Sequence, residues 1–213
     1  LTSTVLAALI AARNNTFLGK FAKAALFIPV LSSSAVIGTI WKAILNGGHP
    51  AVKFLFGLVG IDPTMLLGSS TTAIVTLSML IVWKSMGYYM IITLSSLMSI
   101  PDNYYEAARV DGANSWNLFS RITIPLLKPT LILNTFLAII SSMQVFDIVY
   151  TMTGGGPSMS TTTMVMYAYQ LTFKSGKAGY AMTVSNVLML MVLVVVLFQQ
   201  RFLRPVFFLH TGE

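Results

Sequence analysis

Long stretches without charged side chains alternate with short polar segments and predict membrane-spanning helices. An α-helix rises about 1.5 Å per residue, so a hydrocarbon core about 30 Å thick needs roughly 20 mainly apolar residues. Four stretches fit this pattern: 24–41, 71–98, 129–146 and 181–200. We therefore predict an all-α, polytopic transmembrane bundle with four full spans.

The first twelve residues, LTSTVLAALIAA, are also apolar, but they would reach only about 18 Å as a helix. They start at Leu1, and no basic segment precedes them as it would in a signal peptide. We expect them to be a partial span whose first half lies upstream of this sequence.

The composition agrees with a membrane protein. Hydrophobic residues make up 55% and charged residues 9% of the 213 positions, whereas about a quarter of a soluble domain is charged. This excludes a soluble enzyme and a disordered chain, and the lack of cysteine excludes a disulfide scaffold. The net charge of +7 does not indicate nucleic acid, because the 13 basic residues are spread along the chain instead of clustered.

The basic residues instead predict the orientation in the cell membrane. With alternating spans, eight of them fall on one side and four on the other, while Lys84 lies within a span. Loops rich in Lys and Arg stay in the cytoplasm. We therefore expect the 100–129 loop and the C-terminus to be cytoplasmic.

The opposite connections contain turn sequences, at 46–50 (NGGHP), 60–63 (GIDP) and 153–157 (TGGGP). Aromatic side chains that suit a helix in the membrane interface follow the last turn: Tyr167, Tyr169, Phe173 and Tyr180.

The 100–129 loop predicts two short helices joined at a corner. Asn103 is expected to cap the first helix with Glu106 as its capping-box partner, and Gly112 to end it in the left-handed conformation. Asn114 or Ser115 is expected to cap the second.

Prolines then follow at two positions in the second limb of this loop. Pro125 and Pro129 are expected to stop the helix and to turn the chain back into the membrane.

This loop carries a pattern that resembles the integral membrane subunits of binding-protein-dependent ABC importers. The matching residues are Glu106, Ala107, Ala108, Gly112, Ile122, Ile124 and Pro125. Ile124 stands where the family usually has Leu. Further similarity to the sugar-permease branch, of the maltose and glycerol-3-phosphate type, lies in Phe27-Ile28-Pro29, Trp83 with Gly87, Asp111-Gly112-Ala113 and Thr153 to Pro157.

The resemblance implies a type I permease domain over residues 1–206, incomplete at its N-terminus, and a short tail at 207–213. The 100–129 loop would be the coupling helix that docks in an ATPase subunit. Glu106 would face the ATPase, and Gly112 would set the angle between the two short helices; Asp111 belongs to the same segment. The implied partners are a second homologous permease, two cytoplasmic ATPase subunits, an extracytoplasmic solute-binding protein and membrane lipid.

The chain is not expected to be an enzyme. Its Gly-Lys pairs, at Gly19-Lys20 and Gly176-Lys177, lack the remaining residues of a P-loop. No cofactor is therefore expected in this chain, and ATP and Mg would be bound by the partner subunits. The chain's own role would be alternating access, a population shift between inward- and outward-facing states.

Polar side chains in and beside the spans are candidates for the substrate path, because such groups are costly in a membrane. The candidates are Asn134, Ser141, Gln144, Asp147 and Trp83. Each has an alternative interpretation: hydrogen bonding between helices for Asn134, Ser141 and Gln144, an interfacial cap for Asp147, and packing for Trp83. Lys84 is expected to snorkel or to pair between helices.

Three other interpretations compete with this one, of which a non-transporting membrane scaffold would not explain the coupling pattern. A permease for amino acids, peptides or anions would share the coupling loop. An ion-coupled secondary transporter would need a carboxylate near the middle of a span, and Asp147 is placed too near the outer end.

Overall fold

The computed structural model describes residues 2–11, 16–46, 50–58, 60 and 62–207. Within these ranges all regular structure is helical, which confirms the all-α prediction. The α-helices are α1 (Thr2–Ala11), α2 (Phe17–Leu31), α3 (Ser34–Leu45), α4 (Pro50–Gly57), α5 (Ser70–Met98), α6 (Asn103–Val110), α7 (Ser115–Leu118), α8 (Ile124–Met143), α9 (Asp147–Met152), α10 (Met164–Phe173) and α11 (Ala178–Phe207). A 3-10 turn covers Pro63–Leu66 and a π-helical turn covers Phe119–Thr123. The predicted turn at Gly47 to His49, Arg13 and tail residues 208–213 lie outside the described residues.

Several helices are long and apolar enough to cross a membrane. Three stretches qualify by themselves within the described residues: Ser70–Met98, Ser115–Met152 and Ala178–Gln199. A fourth qualifies only if the bent pair α2 and α3 counts as one span. The chain is therefore a multi-pass membrane protein with three or four candidate spans.

The prediction of one unbroken span over 24–41 is wrong. The helix ends at Leu31, and a new one begins at Ser34. Ser33, between them, has an extended backbone with φ −59° and ψ 136°. Pro29 lacks a helical N–H, and serines compete with the helix by bonding to nearby backbone, so this segment favours a break.

The prediction that two prolines end the second helix of the loop is also wrong. Pro125 and Pro129 both lie inside α8, which ends at Met143. The predicted 129–146 span falls within the longer candidate span Ser115–Met152. The π turn at Phe119–Thr123 ends two residues before Pro125. A π turn changes the hydrogen-bonding pattern by one residue, so the missing proline N–H falls where that pattern changes. Membrane helices tolerate a further proline where neighbouring groups satisfy the freed carbonyl.

The chain divides into two compact units. The first unit comprises residues 1–30, 85–139 and 196–213. Its buried apolar cluster contains Ala7, Ile10, Met90 and Leu94. Gly87 allows close approach of α5 to α2, since a Cβ there would clash with the Leu26 carbonyl oxygen and lie 2.9 Å from its carbon.

The second unit comprises residues 31–84 and 140–195. Its core consists of apolar side chains from α3, α5, α9 and α10: Ile37, Leu45, Leu77, Leu80, Ile148, Val149, Met152 and Met166. Gly38 lies against α9, because a Cβ there would clash with the Thr151 hydroxyl. The helix predicted after the TGGGP turn is present as α10 with Tyr167, Tyr169 and Phe173, whereas Tyr180 lies in α11.

Candidate functional site

The first limb of the 100–129 loop is α6, and it begins differently from the prediction. Asn103 is the first helical residue instead of the cap, and Asp102 at the cap position makes no side-chain cap bond. The chain already turns at Pro101, so backbone carbonyls satisfy the first amides: Tyr104 N–H donates to Pro101 (3.2 Å) and Glu106 N–H to Asp102 (3.0 Å). A capping box is therefore not needed there, and the prediction for Asn103 and Glu106 as a box is wrong.

The corner after α6 forms as predicted. Gly112 has φ +81°, in the left-handed region, and a Cβ there would meet nothing within 4 Å. Its N–H donates to the Arg109 carbonyl (3.0 Å), and the Ala113 N–H donates to the Ala108 carbonyl (2.9 Å). These are the two bonds of a Schellman motif, which ends a helix on a left-handed residue.

The second limb begins at Asn114. Of the two predicted candidates for its N-cap, Asn114 and Ser115, Asn114 is the cap in the structure. Its Oδ1 accepts a hydrogen bond from the Asn117 N–H at 2.9 Å. From there the chain continues through α7 and the π turn into α8 without a helix break. The loop is thus continuous in structure with a candidate span.

The surface of the loop combines charge with exposed apolar groups. Glu106 is exposed, and its side chain has no hydrogen bond or ion pair within the described part of the chain. Val110 is 88% and Trp116 is 70% exposed, on either side of the Gly112 corner. The other loop residues of the pattern divide by burial: Ala107, Asp111 and Pro125 are exposed, while Ala108, Ile122 and Ile124 are half-buried.

Two hydroxyl pairs that were not predicted from the sequence connect the two limbs of this loop and the two long helices beside it. The Tyr105 hydroxyl lies 3.1 Å from the Thr123 hydroxyl, and Ser96 lies 2.7 Å from Thr130. A single sequence offers no signal for these pairs beyond the presence of the hydroxyls, because their members are 18 and 34 residues apart.

Asn134 is the one substrate-path candidate in the first unit. It is only 7% exposed, and its Nδ2 donates to the Tyr89 carbonyl (3.1 Å) and to the Thr93 hydroxyl (2.9 Å). Its Oδ1 is buried and receives no hydrogen bond from the described residues. The amide group thus hydrogen-bonds α8 to α5, and one acceptor is left for another donor.

The remaining candidates lie in the second unit. Ser141 and Gln144 are exposed, but Gln144 follows the end of α8, so it does not continue the predicted helical stripe. Asp147 is exposed and is the first residue of α9. Trp83 contacts Trp41 edge to face, with ring centroids 5.9 Å apart, and part of its ring stays exposed.

An aromatic cluster in the same unit joins two residues predicted on an interface helix, Tyr169 and Phe173, to two others. Its rings belong to α9, α10 and the residue before α9: Phe146, Tyr150, Tyr169 and Phe173. Neighbouring centroids lie 4.9–5.3 Å apart, a distance that favours aromatic pairs. The hydrogen bond with Tyr150 raises the pKa of the Tyr169 hydroxyl above its ordinary value.

Among the described residues, no group of three His, Cys, Asp or Glu is placed to hold a metal ion.

The 100–129 loop thus connects two candidate spans and carries exposed apolar side chains beside a left-handed glycine. Residues 3–206 match the family described as the inner membrane component of binding-protein-dependent transport systems. The chain belongs to this family.

Its relatives include several sugar transport permeases. It is 33% identical over 179 residues to the multiple sugar-binding transport system permease protein MsmF of Streptococcus mutans, covering 84% of this chain and 61% of the relative. It is 38% identical over 174 residues to the lactose transport system permease protein LacF of Rhizobium radiobacter, covering 79% and 58%. The chain thus spans about three fifths of the length of these relatives.

A solved structure shares the fold. A bacterial ABC transporter involved in the import of the acidic polysaccharide alginate aligns with a TM-score of 0.83 at 23% identity. The alignment covers 96% of this chain and 72% of that one.

Proposed function

We propose that this chain is the membrane-spanning permease subunit of an ATP-driven, binding-protein-dependent importer of sugars. The observation that carries the proposal is the surface of the 100–129 loop, where Glu106, Val110 and Trp116 are exposed around the Gly112 corner. Val110 precedes the candidate span Ser115–Met152 and Trp116 lies at its first turn, and large apolar side chains exposed together at the end of a span favour a docking surface. An ATPase subunit that covers this loop buries them and moves the attached span when it closes.

The proposed assembly contains a second homologous permease, two cytoplasmic ATPase subunits that bind ATP and Mg, and an extracytoplasmic solute-binding protein, all in or at the lipid membrane. The lack of a P-loop in residues 1–213 supports hydrolysis by a partner. The name of the matched family supports the binding protein. So does a second solved relative in fold, an alginate ABC transporter in complex with an alginate pentasaccharide-bound periplasmic protein.

We also propose four full spans, counting α2 and α3 as one broken span, with the 100–129 loop and the C-terminus in the cytoplasm. The excess of basic residues on that side supports this orientation. Residues 1–213 contain no cysteine, so single cysteines are clean probes. In intact spheroplasts, a membrane-impermeant maleimide should label Lys177→Cys and should not label Asp102→Cys. The parent protein gives the background labelling. The reverse labelling pattern contradicts the proposed orientation.

Sugars are the proposed cargo because the named relatives carry them, and because exposed hydroxyl and amide groups can hydrogen-bond sugar hydroxyls. The candidate contacts are Trp83, Ser141, Gln144 and Asp147, together with Asn134. Gln144→Leu should raise the KM for uptake without lowering the amount of protein in the membrane. Unchanged uptake kinetics would assign Gln144 to structure instead.

The coupling role is tested by two matched carboxylate changes in the assembled, full-length transporter. Glu106→Gln removes the charge at the proposed ATPase contact, whereas Asp102→Asn removes an exposed charge one turn earlier. Glu106→Gln should lower both recovery of ATPase subunits in co-purification and sugar uptake, while Asp102→Asn should leave both unchanged. Equal behaviour of the two variants contradicts a specific role for Glu106.

A further inference from the structure

Three side-chain hydrogen bonds within the first unit form a ladder between α5–α6 on one side and α8 with its π turn on the other. The pairs are Thr93–Asn134 (2.9 Å), Ser96–Thr130 (2.7 Å) and Tyr105–Thr123 (3.1 Å). Residue numbers increase from Thr93 to Tyr105 on one side of the ladder and decrease from Asn134 to Thr123 on the other, so the two sides run antiparallel. The ladder runs from the span into the 100–129 loop.

The Tyr105–Thr123 pair is the member that lies in the loop itself. Thr123 is only 5% exposed, and its hydroxyl lies 3.2 Å from the Leu118 carbonyl, to which it donates. Because the threonine proton is used there, the Tyr105 hydroxyl is the donor to Thr123. Thr123 is the last residue of the π turn, so Tyr105 reaches the point where the loop becomes α8.

The first two pairs join α5 to α8, and helices in lipid gain little from the hydrophobic effect between them, so packing and such hydrogen bonds hold them together. The adjacent Tyr104 carries the same side chain but is exposed, and its hydroxyl has no hydrogen bond among the described residues. Of the two neighbouring tyrosines, only the half-buried Tyr105 has a side-chain hydrogen bond to the start of the span.

We propose that Tyr105 is a positioning residue that holds α6 to the start of α8, so that a displacement of α6 is transmitted to the spans. This inference rests on the proposed function, since the displacement comes from the ATPase subunits. In this role Tyr105 contacts neither cargo nor nucleotide. Its hydroxyl makes α6 and α8 move together.

The test compares Tyr105→Phe with Tyr104→Phe in the full-length transporter, using only complexes isolated through their ATPase subunits. Tyr105→Phe should keep ATPase activity stimulated by the binding protein and lower sugar uptake per ATP by about fivefold, the factor expected from one hydrogen bond of ordinary net strength. Tyr104→Phe should match the parent. Thr123→Val should show the same loss of uptake per ATP, whereas Thr123→Ser, which keeps the hydroxyl, should couple as the parent does. The Tyr105→Phe/Thr123→Val double variant should be no more impaired than either single variant, because both changes remove the same hydrogen bond.

The outcomes separate the two proposals. If the parent complex shows no ATP-dependent uptake or recovers no ATPase subunit, the proposed function is wrong. If the parent is coupled but Tyr105→Phe behaves like Tyr104→Phe, or loses ATPase activity and uptake in equal proportion, the positioning role is wrong. If Tyr105→Phe does not assemble, the comparison of Thr123→Val with Thr123→Ser decides by the same ratio.

Discussion

The corner at Gly112 allows a quantitative prediction, because the structure isolates one effect there. Gly112→Ala adds a Cβ that meets nothing within 4 Å, so the substitution causes no clash. The cost comes only from φ +81°, which an L-residue adopts at an expense of about 1–2 kcal/mol. That energy lowers the population of this corner, relative to alternative ones, by about 5- to 30-fold.

The assay is sugar uptake and binding-protein-stimulated ATPase activity in proteoliposomes that contain the full-length transporter. We expect Gly112→Ala to lower uptake per ATP, up to the factor above, while insertion into the membrane stays normal. Gly112→Asn should keep more activity than Gly112→Ala, because Asn tolerates the left-handed region.

Gly176 provides the matched control for this experiment. It has φ +64° and equally open surroundings, but it belongs to the connection between α10 and α11 and not to the 100–129 loop. Gly176→Ala carries a similar backbone cost and should leave uptake per ATP unchanged. If both alanine variants are equally coupled, or equally impaired, the corner has no specific role and the reasoning is refuted.

Three further predictions concern stability and local structure. Gly87→Ala should lower the midpoint of thermal unfolding in detergent, because overpacking costs about 1–3 kcal/mol. Gly179→Ala should leave the midpoint unchanged, because a Cβ there would meet nothing within 4 Å. Equal midpoints of the two variants would contradict the close approach of α5 to α2. Asn114→Ala removes a cap worth about 1 kcal/mol, so amide exchange in α7 should accelerate by roughly fivefold, and Asn114→Asp should exchange as the parent does. Hydrogen bonds from the Thr64 hydroxyl and N–H lower the pKa of Asp62. The stability that ionised Asp62 contributes is therefore present above the ordinary carboxyl pKa and is lost as the pH falls through the lowered pKa. Thr64→Val should raise the Asp62 pKa in a titration followed by NMR, and an unchanged pKa contradicts this cause.

The sequence predicted those parts of the site that depend on neighbouring residues. The left-handed Gly112, the cap at Asn114 and the long apolar helix at α5 follow from properties of a few adjacent positions. The errors arose where local signals compete. Pro125 is a strong stop signal in isolation, yet a π turn accommodates it, and Asn103 is a good cap that the chain does not use because the turn begins earlier.

The sequence by itself determined that this is an all-helical membrane protein, and the motif in its loop identified the transport family, because apolar length and short-range spacing are properties of the chain alone. Only the tertiary structure decided the contact of Gly87 with Leu26, the buried hydrogen bonds of Asn134 and the pairing of Tyr105 with Thr123. These contacts join positions that are distant along the chain. Which of many hydroxyls and glycines meet depends on how the helices pack, and that packing is a property of the whole fold.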